Sequence, residues 1–166
     1  MKNIILKFFL VTAVTLLLLS CERDDICPEA TPTTPKLVIE FFDINNTESP
    51  KNVRDLAVRT FEKDTALLFN STSTISIPLK TDSIETSYVF NLNALAESGG
   101  LRDTLTFFYA TEELYVSRAC GFKVNFFDFR ASLEDQETSS KGWIRDIQVI
   151  ENTIENESET HLFIFY

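Results

Sequence analysis

With 166 residues, 15 phenylalanines and only four glycines, the chain is long enough to bury one substantial core and short for two domains. Its 25 Asp and Glu outnumber 15 Lys and Arg, for a formal net charge of −10. That balance excludes the clustered cationic surface through which proteins grip nucleic-acid phosphates, and it disfavours broad contact with anionic lipid headgroups.

Lys2 and Lys7 stand ahead of an uncharged apolar run from Phe8 to Leu19. A basic start, a short apolar middle and a small residue before the break are the parts of a secretory signal peptide. The run holds about a dozen residues, whereas a helix crossing the hydrocarbon layer needs roughly 20. The break falls at Leu18-Leu19-Ser20-Cys21, which resembles the lipobox of bacterial lipoproteins. The resemblance implies cleavage before Cys21, a diacylglyceryl group on its sulfur and an acyl group on the new amine. The alternative is an ordinary soluble secretory signal that ends near a cysteine. Removing residues 1–20 from the 166 leaves 146, and loss of Lys2 and Lys7 moves the charge from −10 to −12. Two or more acyl chains give lasting attachment where one is marginal, so the expected partner is the membrane, held through the anchor alone.

Next come Glu22-Arg23-Asp24-Asp25 and then Pro28, Pro32 and Pro35 among threonines. Proline at this density favours extended chain over helix, so residues 21–35 read as a lipidated tether and Pro/Thr-rich stalk ahead of a single domain at 36–166. With Cys21 acylated, Cys27 and Cys120 remain. An oxidising compartment pairs two leftover cysteines more often than it leaves two thiols. A Cys27–Cys120 bridge would stabilise by about 4 to 5 kcal/mol on the chain-entropy account. Two separate thiols are the other reading.

From Lys36 onward, short runs rich in β-branched and aromatic residues alternate with polar clusters, the pattern of strands and turns. Strands are predicted at 37–42, 53–60, 66–69, 74–79, 87–92, 103–109, 113–117, 122–129, 144–150 and 161–166. Strict alternation, as in Leu37, Ile39 and Phe41 or Leu105, Phe107 and Tyr109, puts one apolar face of each strand toward a core. Helix is expected only over 93–97, ended by Gly99-Gly100, and around 131–137. The pattern predicts an all-β fold, an antiparallel β-sandwich, Ig-like or related. Phe41-Phe42, Phe107-Phe108-Tyr109, the 126–129 run and the 162–166 run are apolar on both faces. The expectation is that their second faces are covered; the functional alternative is a docking surface.

Catalytic chemistry has few candidates. His161 is the one histidine, too few for an imidazole-built zinc site, and a lone histidine at a strand start is more often a surface or core residue than a base. No Gly-x-Ser-x-Gly elbow occurs. Glu134-Asp135-Gln136-Glu137 lacks the turn glycine of a calcium loop, and Gly99-Gly100 lacks the Lys-Ser/Thr sequel of a phosphate loop. No catalytic residue, metal site or cofactor is therefore expected. Sugar-binding modules stack rings on exposed Trp or Tyr, which makes Trp143 the candidate ligand contact, against the plainer reading of a core residue. Asp64-Thr65-Ala66, Asp82-Ser83-Ile84 and Asp103-Thr104-Leu105 resemble the Asp-Ser/Thr-apolar acceptor of Bacteroidota O-glycosylation, nominating Thr65, Ser83 and Thr104. The competing account is a turn handing over to a strand.

Cys21 through Pro28, the stalk running into Thr34-Pro35-Lys36-Leu37-Val38-Ile39-Glu40-Phe41, and Val116 through Lys123 with its Cys120-Gly121-Phe122 together resemble an uncharacterised family of small Bacteroidota lipoproteins, a domain of unknown function. The resemblance implies lineage, anchor and bridge, and carries no activity. Acids after Cys21, interrupted by Arg23, also resemble the surface-export signal of that phylum. The expectation is a non-enzymatic binding or envelope-assembly module, lipid-anchored at the outer membrane on its periplasmic or outer side, with an envelope protein as candidate partner. The alternative is a carbohydrate-handling accessory lipoprotein, either sugar-binding or a carboxylate-based glycoside hydrolase. Burial of Trp143 would count against it.

Overall fold

A computed structural model describes residues 26–134 and 142–166. The signal segment, Cys21 and the acids at 135 and 137 lie outside these residues. Ten strands follow in order: β1 Leu37–Asp43, β2 Asn46–Pro50, β3 Leu56–Arg59, β4 Leu67–Phe69, β5 Thr74–Ile77, β6 Glu85–Leu92, β7 Leu101–Ser117, β8 Gly121–Leu133, β9 Asp146–Val149 and β10 Leu162–Phe165. No helix occurs among the described residues. The strands form two sheets, β2-β1-β10-β9 with β5 also on β1, and β4-β3-β6-β7-β8. This is the all-β, sandwich-like fold expected. One pairing departs from the antiparallel scheme: β1 and β10 run parallel, Ile39 opposite Leu162 and Phe41 opposite Ile164.

The chain divides into two compact units. The smaller holds, of the described residues, 26–31 and Tyr115–Phe122; the larger holds Pro32–Leu114 and Lys123–Tyr166. Thr34 and Pro35, expected in the stalk, thus belong to the larger unit. Pro35 is buried, and the Thr34 hydroxyl accepts a hydrogen bond from the Val124 amide at 3.0 Å.

Both sheets contribute to one core. Leu37, Ile39 and Phe41 of β1, Ile75 and Ile77 of β5, and Leu162 and Ile164 of β10 join Phe90, Leu105, Phe107 and Phe126 of the other sheet. Period-two side-chain alternation places these residues on facing surfaces. In β8 the alternation changes phase, since Val124 and Phe126 face the core and so does Phe129, three residues on. Asp128 supplies the extra residue with φ 51°, a left-handed conformation that Asp tolerates better than most. The bulge keeps Ala131 and Leu133 on the core side as well. It also explains why 126–129 reads as apolar on both faces. Of the other such runs, Phe42 and Phe165 are buried and pack with Phe163, ring centroids 4.7 Å apart for Phe42–Phe163 and 5.8 Å for Phe42–Phe165. These rings cover one another on the sheet's second face.

Three elements differ from expectation. β2, Asn46-Thr47-Glu48-Ser49-Pro50, is nearly all exposed; it pairs as a hairpin arm with no apolar alternation to announce it. Strands predicted at 103–109 and 113–117 are one strand of 17 residues, because the polar residues between them sit on exposed faces that do not interrupt pairing. The predicted helix at 93–97 is a pair of turns, with Ala96 N donating to Asn93 O and Gly99 N to Ala96 O. Five residues are too few to offset helix nucleation. Gly100, at φ 74°, follows where a Cβ would collide with the Leu92 carbonyl. Around 131–137, residues 131–133 are strand and the rest from Asp135 lies outside the described residues.

His161 is a core residue, 1% exposed. Its Nδ1 accepts from the Val38 amide at 3.0 Å, so the neutral ring carries its proton on Nε2. Burial holds its pKa below the ordinary value, against the opposing pull of Glu151, Glu159, Glu157 and the Asn156 backbone. A depressed pKa means the unfolded chain binds the proton first. Stability from this group is therefore present above about pH 6.5, the unfolded value, and is lost as pH falls toward the folded pKa. His161→Leu is expected to cost about 1 to 3 kcal/mol at neutral pH by orphaning the Val38 amide. Between pH 7 and 5 the variant should lose stability less steeply than the parent in urea melts. Parallel pH profiles would contradict this reading.

Candidate functional site

Two places stand out: the small unit, and a cleft in the large one. In the small unit, Cys27 and Cys120 are joined by a disulfide, S–S 2.02 Å and Cα–Cα 4.8 Å. Cys120 lies in the turn between β7 and β8. Its amide donates to Ser117 Oγ at 3.1 Å, and Gly121 takes φ 72°, where a side chain would be strained. On the other side of the bridge, Thr31 N donates to Pro28 O at 3.0 Å, closing a four-residue turn. Flanking the cystine turn, Tyr115 and Phe122 meet edge to face, centroids 5.3 Å apart. Each is 63% exposed, and Ile26 is 81% exposed. Two aromatic rings in edge-to-face contact and facing water are unusual in a chain whose other rings are mostly buried. Tyr115 and Phe122 fall inside predicted strands, yet alternation alone gave no sign that their face is open. The signal available was the aromatic on either side of Ser117-Arg118-Ala119-Cys120-Gly121.

The cleft, about 400 Å³ in volume, lies between the β3–β4 connection and the segment after β5. Its apolar lining includes Val58, Leu67, Leu79 and Pro78, and Arg59, Lys63, Lys80 and Glu62 bring charge. Lys80 Nζ donates to Glu62 Oε1 at 2.8 Å. That bond holds the Glu62 carboxyl below its ordinary range and lifts Lys80. The pair is exposed, so its contribution to stability is small. Two phenols hold the segment after β5: Tyr88 OH, itself at the cleft, donates to Pro78 O at 2.6 Å and Tyr109 OH to Lys80 O at 2.8 Å. Loss of solvent pushes Tyr88 up to about 12, so it remains a donor at every physiological pH. Thr60 Oγ1 is buried with no hydrogen-bond partner among the described residues. An apolar wall, a cationic edge and an unused hydroxyl suit binding of a small molecule. Of the cleft residues, Thr65 was singled out from sequence, as a glycan acceptor rather than a ligand contact; the cleft itself was not legible, because its lining comes from three separated segments.

The residues nominated from sequence do not converge. Cys21 lies outside the described residues. Trp143 is 3% exposed; its ring packs on Tyr166 and Phe41, with centroids at 5.0 and 6.2 Å, and its Nε1 donates to Phe90 O at 3.1 Å. An indole this deeply buried cannot serve as a sugar platform, so the expected ligand contact gives way to the core reading. Thr65 is exposed at the cleft. Ser83 is half-buried, and its Oγ accepts from Glu85 N at 3.2 Å. Thr104 is buried at 9%, which leaves no room for a glycan on the folded domain. Its neighbour Asp103 is buried too, and Oδ2 accepts from the amides of Trp143 at 2.7 Å and Ile144 at 2.8 Å. Desolvation raises the Asp103 pKa, and these two amides oppose the rise. Gly142 is needed beside it, since a Cβ there would strike the carboxylate. The third Asp-Thr-Leu triplet is therefore a structural clamp.

Comparison with known proteins gives one match. The model of a family of unknown function, DUF6452, matches residues 55–166. That span includes Asp103, Cys120, Trp143 and His161 and begins after Cys27. Neither the curated proteins nor the solved structures contain a match.

Proposed function

We propose a role for a chain that belongs to DUF6452, a family of unknown function: a lipoprotein of the bacterial outer membrane, held by acyl chains on Cys21 and presenting a non-catalytic β-sandwich for binding or envelope assembly. The observation that carries this reading is the Cys27–Cys120 disulfide. Such bonds persist in exported proteins and are rare in the reducing cytosol. This one begins six residues after the lipobox cysteine. Support for a non-catalytic role comes from His161, whose Nδ1 is engaged by the Val38 amide in a buried setting. The one imidazole of the chain is thereby withdrawn from use as a base.

Intact-mass measurement of protein purified from membranes tests the reading. The parent chain should lack residues 1–20 and carry diacylglyceryl and amide-linked acyl groups, and Cys21→Ala should remain unacylated. An intact, unacylated N-terminus with two free thiols would overturn it. A pull-down from outer-membrane extracts with the acylated chain then separates roles: a stoichiometric protein supports assembly, whereas a retained glycan supports carbohydrate handling.

A further inference from the structure

We propose that Tyr115, Phe122 and Ile26 form a membrane seat, entering the interfacial layer of the bilayer to which Cys21 is anchored. The inference rests on the lipoprotein reading above and adds a second, non-covalent contact to it. Three observations at this turn converge. First, three large apolar side chains are exposed together around one disulfide: Tyr115 and Phe122 at 63% and Ile26 at 81%. Aromatic rings with a polar tip or edge favour the boundary between headgroups and acyl chains. Second, covalent reach limits what can cover them. Five residues, Glu22 to Ile26, separate Cys21 from Cys27, a span of at most about 20 Å when extended, and the disulfide fastens Cys27 to the turn that carries the aromatic pair. A turn tied this closely to the acyl chains has the bilayer surface as its nearest apolar medium. Third, the β7–β8 turn itself is free of carboxylates, the acids of the small unit, Glu22, Asp24, Asp25 and Glu29, lying on the tether side of the bridge. Residues 114–127 contain Arg118 and Lys123 and no carboxylate, in a protein of net charge −10. Cations beside interfacial aromatics suit anionic headgroups, whereas a strongly acidic surface elsewhere is repelled. Contact with the bilayer is thus confined to this turn.

The test uses the full acylated chain carrying Phe122→Trp, reconstituted in phosphatidylethanolamine/phosphatidylglycerol vesicles whose lipids bear bromine near the headgroup end of the acyl chains. Tyr115→Trp serves as a second reporter, and both positions are exposed enough for the fold to accept an indole. The introduced indole should emit at shorter wavelength than in the protein freed of lipid, and bromine should quench most of its emission. Trp143 of the parent, enclosed in protein, should be unaffected. Mass measurement on the same sample reports acylation. An acylated chain whose introduced indole ignores bromine overturns the seat and leaves the anchor standing. A blue shift without bromine quenching also overturns it, and points to a second copy or another protein covering the turn. An unacylated chain removes the anchor, and the seat with it.

Discussion

Trp143→Ala is expected to lower stability by about 3 to 5 kcal/mol, the range for deleting a large core aromatic. The indole does more than fill volume. It clusters with Phe41 and Tyr166, its Nε1 donates to Phe90 O of β6, and its own amide is held by Asp103 of β7. One residue therefore braces the segment entering β9, in the first sheet, against two strands of the second. Trp143→Phe keeps most of the packing and loses the hydrogen bond, and should cost markedly less than the alanine variant, with about 1 kcal/mol assigned to the bond itself. Urea melts of parent and both variants measure the difference. A loss below about 1 kcal/mol for Trp143→Ala would contradict the core assignment, since surface substitutions fall in that range. The same residue bears on the sugar-binding alternative. As the one tryptophan in the chain, it should emit at short wavelength, and oligosaccharides should leave that emission unchanged.

Removing both cysteines of the bridge, Cys27→Ala with Cys120→Ala, is expected to cost about 2 to 4 kcal/mol. The cross-link joins residues 93 apart in sequence, so it forbids many open conformations of the unfolded chain while asking little of the folded one. The entropic ceiling for a loop of this length is about 4.7 kcal/mol, and measured values usually fall short of such ceilings. The expected result is a lower urea midpoint for the double variant, matched by the parent after reduction. Equal midpoints with and without the bridge would show that residues near Cys27 are already free in the folded protein. That result would also weaken the membrane seat, which relies on the bridge to hold the turn near the anchor.

Much of the fold was legible because strand formation with one buried face is written in local alternation. Leu37, Ile39 and Phe41, and Leu105, Phe107 and Tyr109, read as inward-facing rows and are inward-facing rows. The pairing of Cys27 with Cys120 was legible for a different reason: once Cys21 is read as acylated, two of the three cysteines are left and one pairing is open to them. β2 was illegible because Asn46–Pro50 buries almost nothing, and its partner on β1 supplies the whole reason for its extended shape.

By itself, then, the amino-acid order determined the class of fold and the rows that line its core. Tertiary structure alone decided that β10 lies parallel beside β1, that the bulge at Asp128 returns Phe129 to the core, and that Trp143 and Thr104 are enclosed while Tyr115 and Phe122 are open. The physical reason is range. Alternation is a property of neighbours along one strand, whereas burial of a given ring depends on which distant strand, edge or loop comes to cover it.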